Sequence, residues 1–236
     1  MPTPGLRKRA LVVVAAAVAA ATAAPGATLA FAGREWTVKT GAGLGPGPNS
    51  WRAECADVDG AGALHLRVAR VAGAWACGEV SLPAALGYGT YAWDVATDVT
   101  HMDPAVVLGL FTYEDDTHEI DVEMSRWGDA ANAANADFAV QPSDVPANLH
   151  NYAIPAGVTA VHAAYMWAPG AAAFAVTSMA GAPFRATWQR NGSSVPAARG
   201  REAVHMNMWL FRGRAPGNDE GQEVVITNFT FVPLSE

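Results

Sequence analysis

Along much of the chain, apolar and polar residues alternate with a period of two. Leu64, Leu66 and Val68 alternate with His65, Arg67 and Ala69, which suits a strand with one buried face. The run from Val106 to Phe111 is almost continuously apolar, broken at Gly109. Near the C-terminus, Val225, Phe229 and Phe231 are expected on one face of the segment from Glu223 to Val232. Turn signals separate these runs: Gly41 to Pro48, Asp59-Gly60, Gly87, Asp115-Asp116, Pro169-Gly170 and Asn191-Gly192. There is no long amphipathic helical pattern, and the stretch from Ala130 to Ala136 reads equally well as a helical turn or a loop. Short strands at fairly even spacing predict an all-β fold, a two-sheet antiparallel β-sandwich.

Composition narrows this picture. Of 236 residues, 51% are hydrophobic and 16% charged, with a net charge of −7. That suits one packed core rather than a disordered chain. It gives no electrostatic footprint for nucleic acid. The N-terminus carries Arg7-Lys8-Arg9 followed by a run of small and apolar residues from Ala10 to Ala24, too short to span a bilayer as a helix. This is the pattern of a secretory signal peptide. Ala30-Phe31-Ala32 offers a small-x-small site, so residues 1–32 are expected to be removed (Ala30 is the alternative boundary). One domain then runs from 33 to 236, exported to the periplasm or beyond the cell, monomeric and without a membrane anchor. In an oxidising compartment Cys55 and Cys77 are expected to pair as a disulfide.

The segment His118-Glu119-Ile120-Asp121-Val122-Glu123-Met124 carries the sharpest chemical signal. On a strand, residues i, i+2 and i+4 share a face. Glu119, Asp121 and Glu123 therefore point one way, and Ile120, Val122 and Met124 point into the core. At ~3.3 Å per residue the glutamate Cα atoms lie ~13 Å apart. Side chains leaning inward close the carboxylate gap toward the ~5–5.5 Å of a retaining glycosidase. Carboxylates this close cannot all ionise cheaply, so at least one pKa is expected to rise. A decorative acidic stripe would carry mixed charge, yet Lys39 is the only lysine after Lys8. Trp127 follows the triplet and Trp209 lies further on, and flat aromatic faces stack on sugar rings. Hydrolase elbow, metalloprotease and P-loop motifs are absent. The six histidines have no tight ligand spacing; His118 reads as a surface histidine. Glu114-Asp115-Asp116 reads as a solvated hairpin turn rather than a calcium site. No metal or cofactor is expected.

The triplet resembles the signature of glycoside hydrolase family 16, β-jelly-roll enzymes of the concanavalin A-like type that include lichenases and other endo-β-glucanases. Other segments extend the resemblance. Leu86-Gly87-Tyr88-Gly89-Thr90-Tyr91 and Val106 to Tyr113 are similar to strands ahead of the family's active site. Met166-Trp167-Ala168-Pro169-Gly170 is similar to its W-x-P-G turn, and His205-Met206-Asn207-Met208-Trp209 to the strand bordering its cleft. Cys55 and Cys77 fall near the lichenase disulfide positions.

The resemblance implies Glu119 as nucleophile, Glu123 as acid/base and Asp121 as the group steering their protonation. It implies sugar contacts at Asn207, Trp209 and Glu79. Three departures stand out. Ser81 stands where lichenases carry an arginine. Asp115 to His118 replaces a cleft aromatic. Ala139 lies where a sugar-binding asparagine is expected. The expected activity is retaining hydrolysis of a β-linked polysaccharide. A lectin-like binding module and a transglycosylase on the same fold are the alternatives.

Overall fold

The computed structural model describes residues 26–235. Its first half holds strands β1 (Thr28–Phe31), β2 (Arg34–Val38), β3 (Gly41–Leu44), β4 (Asn49–Trp51), β5 (Ala56–Val58), β6 (Leu64–Val71), β7 (Ala74–Ser81), β8 (Gly89–Val95) and β9 (Val106–Asp115). The second half holds β10 (His118–Met124), β11 (Ala136–Val140), β12 (Leu149–Tyr152), β13 (Val158–Ala168), β14 (Ala171–Gly181), β15 (Arg185–Asn191), β16 (Ala203–Leu210) and β17 (Gln222–Pro233). Helix among the described residues is confined to single 3₁₀ turns. The Ala-rich stretch is a loop, tied down by Asn135. The Asn135 side chain donates to Ile154 O at 3.0 Å and accepts from Ile154 N at 2.7 Å.

Fifteen of the strands form two antiparallel sheets, as the alternation predicts, and β3 and β4 form a hairpin in which β4 meets β7 in a parallel bridge. One runs β1-β2-β7-β16-β9-β10-β11-β12. The other runs β5-β6-β17-β8-β13-β14-β15. Strand β7 belongs to both: its first half pairs with β6 up to Cys77, and Gly78 to Ser81 pair with β16. The crossover needs glycine, because a Cβ on Gly78 would lie 2.1 Å from Cys55 O. Between the sheets lie the inward residues of the period-2 runs, including Leu64, Leu66, Val68, Leu108, Leu110, Ile120, Val122 and Met124. Tyr165 on β13 donates to Thr112 Oγ1 on β9 at 3.0 Å, linking the layers through the core.

In three places the structure departs from the sequence reading. The inward face of β17 is Val224, Ile226 and Phe229, with Val225 and Phe231 only partly buried. A bulge between Ile226 and Asn228 reverses the alternation midway, which a fixed period of two cannot anticipate. The expected disulfide is not formed. Cys55 and Cys77 are buried free thiols, and Cys77 turns its Sγ to Asn49 Oδ1 at 3.5 Å. Burial pushes the Cys77 thiol up to about 12.

The third departure concerns the domain start. Residues 7–24, with the basic and apolar runs, lie outside the described residues. Residues 28–31, however, form β1, joined to β2 by a two-residue turn at Ala32-Gly33. Both turn residues have positive φ, 50° and 70°, the geometry of a tight hairpin. Phe31 is 2% exposed, and its carbonyl accepts the Trp36 indole N–H at 3.0 Å. The small-x-small site is thus the end of a strand and its turn, and the folded domain begins upstream of Gly33. A chain starting at Gly33 should therefore melt lower than one starting at Gly26. Burial of a Phe side chain contributes ~2–3 kcal/mol, so the loss should be roughly 5–10 °C. Equal melting temperatures would show that β1 adds nothing.

Candidate active site

The antiparallel register sorts the functional side chains into transverse rows, because directly opposed residues share a face. One row crosses five strands: Glu79 on β7, Asn207 on β16, Gly109 on β9, Glu123 on β10 and Asp137 on β11. The next contains His205, Phe111, Asp121 and Ala139. A third places Tyr113 opposite Glu119. These rows face away from the core and floor a cleft of about 560 Å³. Every expected site residue is here. Glu119, Glu123, Glu79, Trp127, Asn207 and Trp209 line the cleft, and Asp121 lies beneath, 2% exposed.

Gly109 keeps the floor open. A methyl group there would sit 2.6 Å from Asn207 Oδ1. One wall is aromatic: Trp127 packs edge-on to Trp209 and Phe211, with ring centroids 6.0 and 5.5 Å away. The tight turn after β10 aims Trp127 there. Ser125 Oγ accepts from Trp127 N at 2.9 Å and donates to Val106 O at 2.9 Å, and Trp127 itself adopts φ 54°.

Opposite this wall, Glu79 is 3% exposed and has both oxygens engaged. It accepts from His205 Nδ1 at 2.9 Å, Lys39 Nζ at 2.8 Å and Asn207 Nδ2 at 3.3 Å. These bonds orient His205 and Asn207, while Glu79 itself also lines the cleft. Burial pushes the Glu79 carboxyl up, but His205 and Lys39 outweigh it and hold the pKa below its ordinary value. Lys39 supplies the cation that Ser81 does not. It follows β2, where Val38 pairs with Val80, and Lys39 N bonds to Glu79 O at 2.9 Å. Its Nζ also lies 4.2 Å from the Trp51 ring centroid. The imidazole of His205 stacks on Phe111, 5.0 Å away.

The carboxyls of β10 titrate as a group. Burial raises Glu119, reinforced by the charges of Asp121 and Glu123 and by a hydrogen bond shared with Asp121. Burial takes Asp121 up to about 7, against the hydrogen bonds from Gln141, at 2.9 Å, and Glu119. Glu123 is raised by burial and then by the charges of Asp137 and Asp121. Asp137 is also carried to about 7 by burial, against the bond donated by Trp127 Nε1 at 2.8 Å. Asp137, Lys39, Gln141 and His205 were not picked out from sequence as site residues. Asp137 does stand on a strand between apolar Ala136 and Phe138, so its face was readable, but its partner strand was not.

His118 pairs with Asp115 at 2.7 Å on the hairpin between β9 and β10, as a surface histidine would. Glu114, Asp115 and His118 bring donor atoms within 4.8 Å of one another. Arg201 already pairs with Glu114 at 2.5 Å, which disfavours a cation there.

The raised carboxyls have a consequence for stability. Asp121 and Asp137 move from 3.8 to about 7 on folding, so between those values the folded chain binds protons that the unfolded chain has released. Their contribution is full below about pH 4 and is lost as pH rises toward about 7. The melting temperature should accordingly fall over that range, and Glu119 and Glu123, whose carboxyls are also raised, should carry the fall further as pH rises. A melting temperature that climbs steadily from pH 4 to pH 8 would contradict the burial of uncompensated carboxyls.

No protein-family model matches the chain, and no curated protein matches it either. Solved structures do. The β-glucanase of Bacillus licheniformis superposes with a TM-score of 0.64 at 18% identity, covering 84% of this chain and 92% of that one. A prokaryotic β-1,3-1,4-glucanase (lichenase) from a mouse hindgut metagenome gives 0.61 at 20% identity, covering 84% and 93%. A Mycobacterium tuberculosis protein described as an immunostimulatory antigen and pseudo β-1,3-glucanase gives 0.62 at 16% identity, covering 85% and 91%. The chain therefore has the jelly-roll sandwich fold that these glucanases share.

Proposed function

We propose that this protein is a retaining endo-β-glycosidase acting on a β-linked polysaccharide of the β-glucan class. One observation carries the reading: Glu119 and Glu123 emerge from one face of β10 into a single cleft, above the buried Asp121. The fold likeness to glucanases and the sequence resemblance to glycoside hydrolase family 16 support it.

In this reading, Glu119 passes its proton to Asp121 and attacks the anomeric carbon. Glu123 protonates the departing glycosidic oxygen. A glycosyl ester on Glu119 results. Water then replaces the leaving group, giving its proton to Glu123 while its oxygen displaces Glu119, so the anomeric configuration is retained. The aromatic wall of Trp127 and Trp209 offers faces for sugar rings. His205 and Asn207, held by Glu79, offer polar contacts opposite. We further propose export, with cleavage upstream of Thr28, because β1 belongs to the folded domain.

The reading predicts reducing ends from at least one member of a panel of mixed-linkage β-glucan, β-1,3-glucan, xyloglucan and galactan. NMR of the first product should show the β anomer. Glu119→Gln and Glu123→Gln should each lower kcat by roughly a thousandfold or more, in line with loss of a nucleophile or general acid, while glycan binding persists. Wild type that binds a glycan and cleaves none would establish the binding-module alternative, for which a pseudo-glucanase among the similar structures is a precedent. Religated, longer products would establish transglycosylation. The N-terminal residue of the exported protein, read by mass spectrometry, should precede Thr28; one at Gly33 would overturn that boundary.

A further inference from the structure

Asp137 lies directly across from Glu123 in the β10–β11 register and is 1% exposed. Side chains in that relation have Cβ atoms ~4.5–5.5 Å apart. Two carboxyls so close, one of them fully buried, cannot both be charged without a cost. Their partners differ. Asp137 Oδ2 accepts the Trp127 indole N–H at 2.8 Å, and no such donor reaches Glu123 among the described residues. Asp137 Oδ1 is buried without a hydrogen-bond partner, so the Trp127 indole is its one donor among the described residues when the carboxyl ionises.

We infer that Asp137 is a positioning residue for catalysis: because Trp127 donates to its carboxylate, Asp137 is the member of the pair that ionises first, and it leaves the proton on Glu123. The inference rests on the reading of Glu123 as acid/base. Other groups around Glu123 do not take this role. On its own strand, Asp121 accepts from Gln141, and Glu119 is a strand repeat further on. From β9 the opposing residue is Gly109. Across the cleft, His205 and Lys39 are tied to Glu79. Glycosidic bond cleavage would leave Glu123 anionic beside the Asp137 charge. That repulsion favours removal of a proton from the incoming water in the second step, which returns Glu123 to its neutral form.

The test is Asp137→Asn, which keeps the shape and an acceptor for Trp127 but removes the charge. The alkaline limb of kcat/KM should move to lower pH by about one unit or more, with KM little changed. A uniform loss at every pH, with the limb in place, would reduce Asp137 to a structural part and overturn the inference. Thermal melts give a readout independent of hydrolysis. The fall in melting temperature between pH 4 and pH 8 should become shallower in Asp137→Asn and in Glu123→Gln, and the two effects should not add in the double variant. Additive effects would overturn the coupling whether or not any glycan is cleaved. Should Asp137→Asn fail to fold, Glu123→Gln alone decides, since an unchanged slope there is equally fatal. Absence of hydrolysis in the wild type, with non-additive melts, would sink the glycosidase reading and leave the pairing intact.

Discussion

Four carboxyl groups on one face of a sheet, two buried and two partly buried, are the constraint around which this molecule is arranged. Glu119, Asp121, Glu123 and Asp137 all bind protons more tightly than free carboxyls do, with burial as the first cause in each. Such a cluster opposes folding, and the layer behind it must supply the stability. Ile120, Val122 and Met124 do so from the same strand, fully buried between the sheets, each contributing roughly 1.5–3 kcal/mol by its removal from water. A single heptapeptide thus contains both the strained chemistry and part of what holds it in place.

The polar side of the cleft is built on the opposite principle. Glu79 is more deeply buried than Glu119 or Glu123, yet it is surrounded by donors, and its pKa falls rather than rises. Glu79 and Glu123, two glutamates in one row of the sheet, therefore end with opposite proton affinities, decided by whether a cation reaches them. Lys39 is that cation, and it arrives from the neighbouring strand rather than from the position two residues beyond Glu79. Charge compensation at a buried site depends on where a positive group ends in space, so a substitution in one strand can be made good from the next.

Much of the site was legible in advance for a simple reason. The period-2 alternation through residues 118–124 fixes which side chains share a face, and the structure places Glu119, Asp121 and Glu123 together with the core residues behind them. Asn207 and Trp209, marked in advance by the resemblance alone, line the cleft, while Met206 and Met208 between them are buried. Where alternation is interrupted, the reading failed. The bulge in β17 changes its inward face, and the turn at Ala32-Gly33 converts an expected processing site into a hairpin. Cys55 and Cys77 looked like a pair from compartment and count, but Cys77 turns to Asn49 instead.

By itself the sequence determined the local facts: strand-forming periodicity, the all-β class, and three carboxylates projecting from one strand against an apolar underside. These depend on bond geometry and side-chain polarity, which act over a few residues. Tertiary structure alone decided the register. It set Asp137 opposite Glu123, Gly109 beneath Asn207, and Lys39 beside Glu79, because sheet pairing joins residues distant in the chain whose relative phase depends on every intervening turn and bulge. The proton affinities followed from that pairing and from the depth of burial, neither of which is a property of a residue alone.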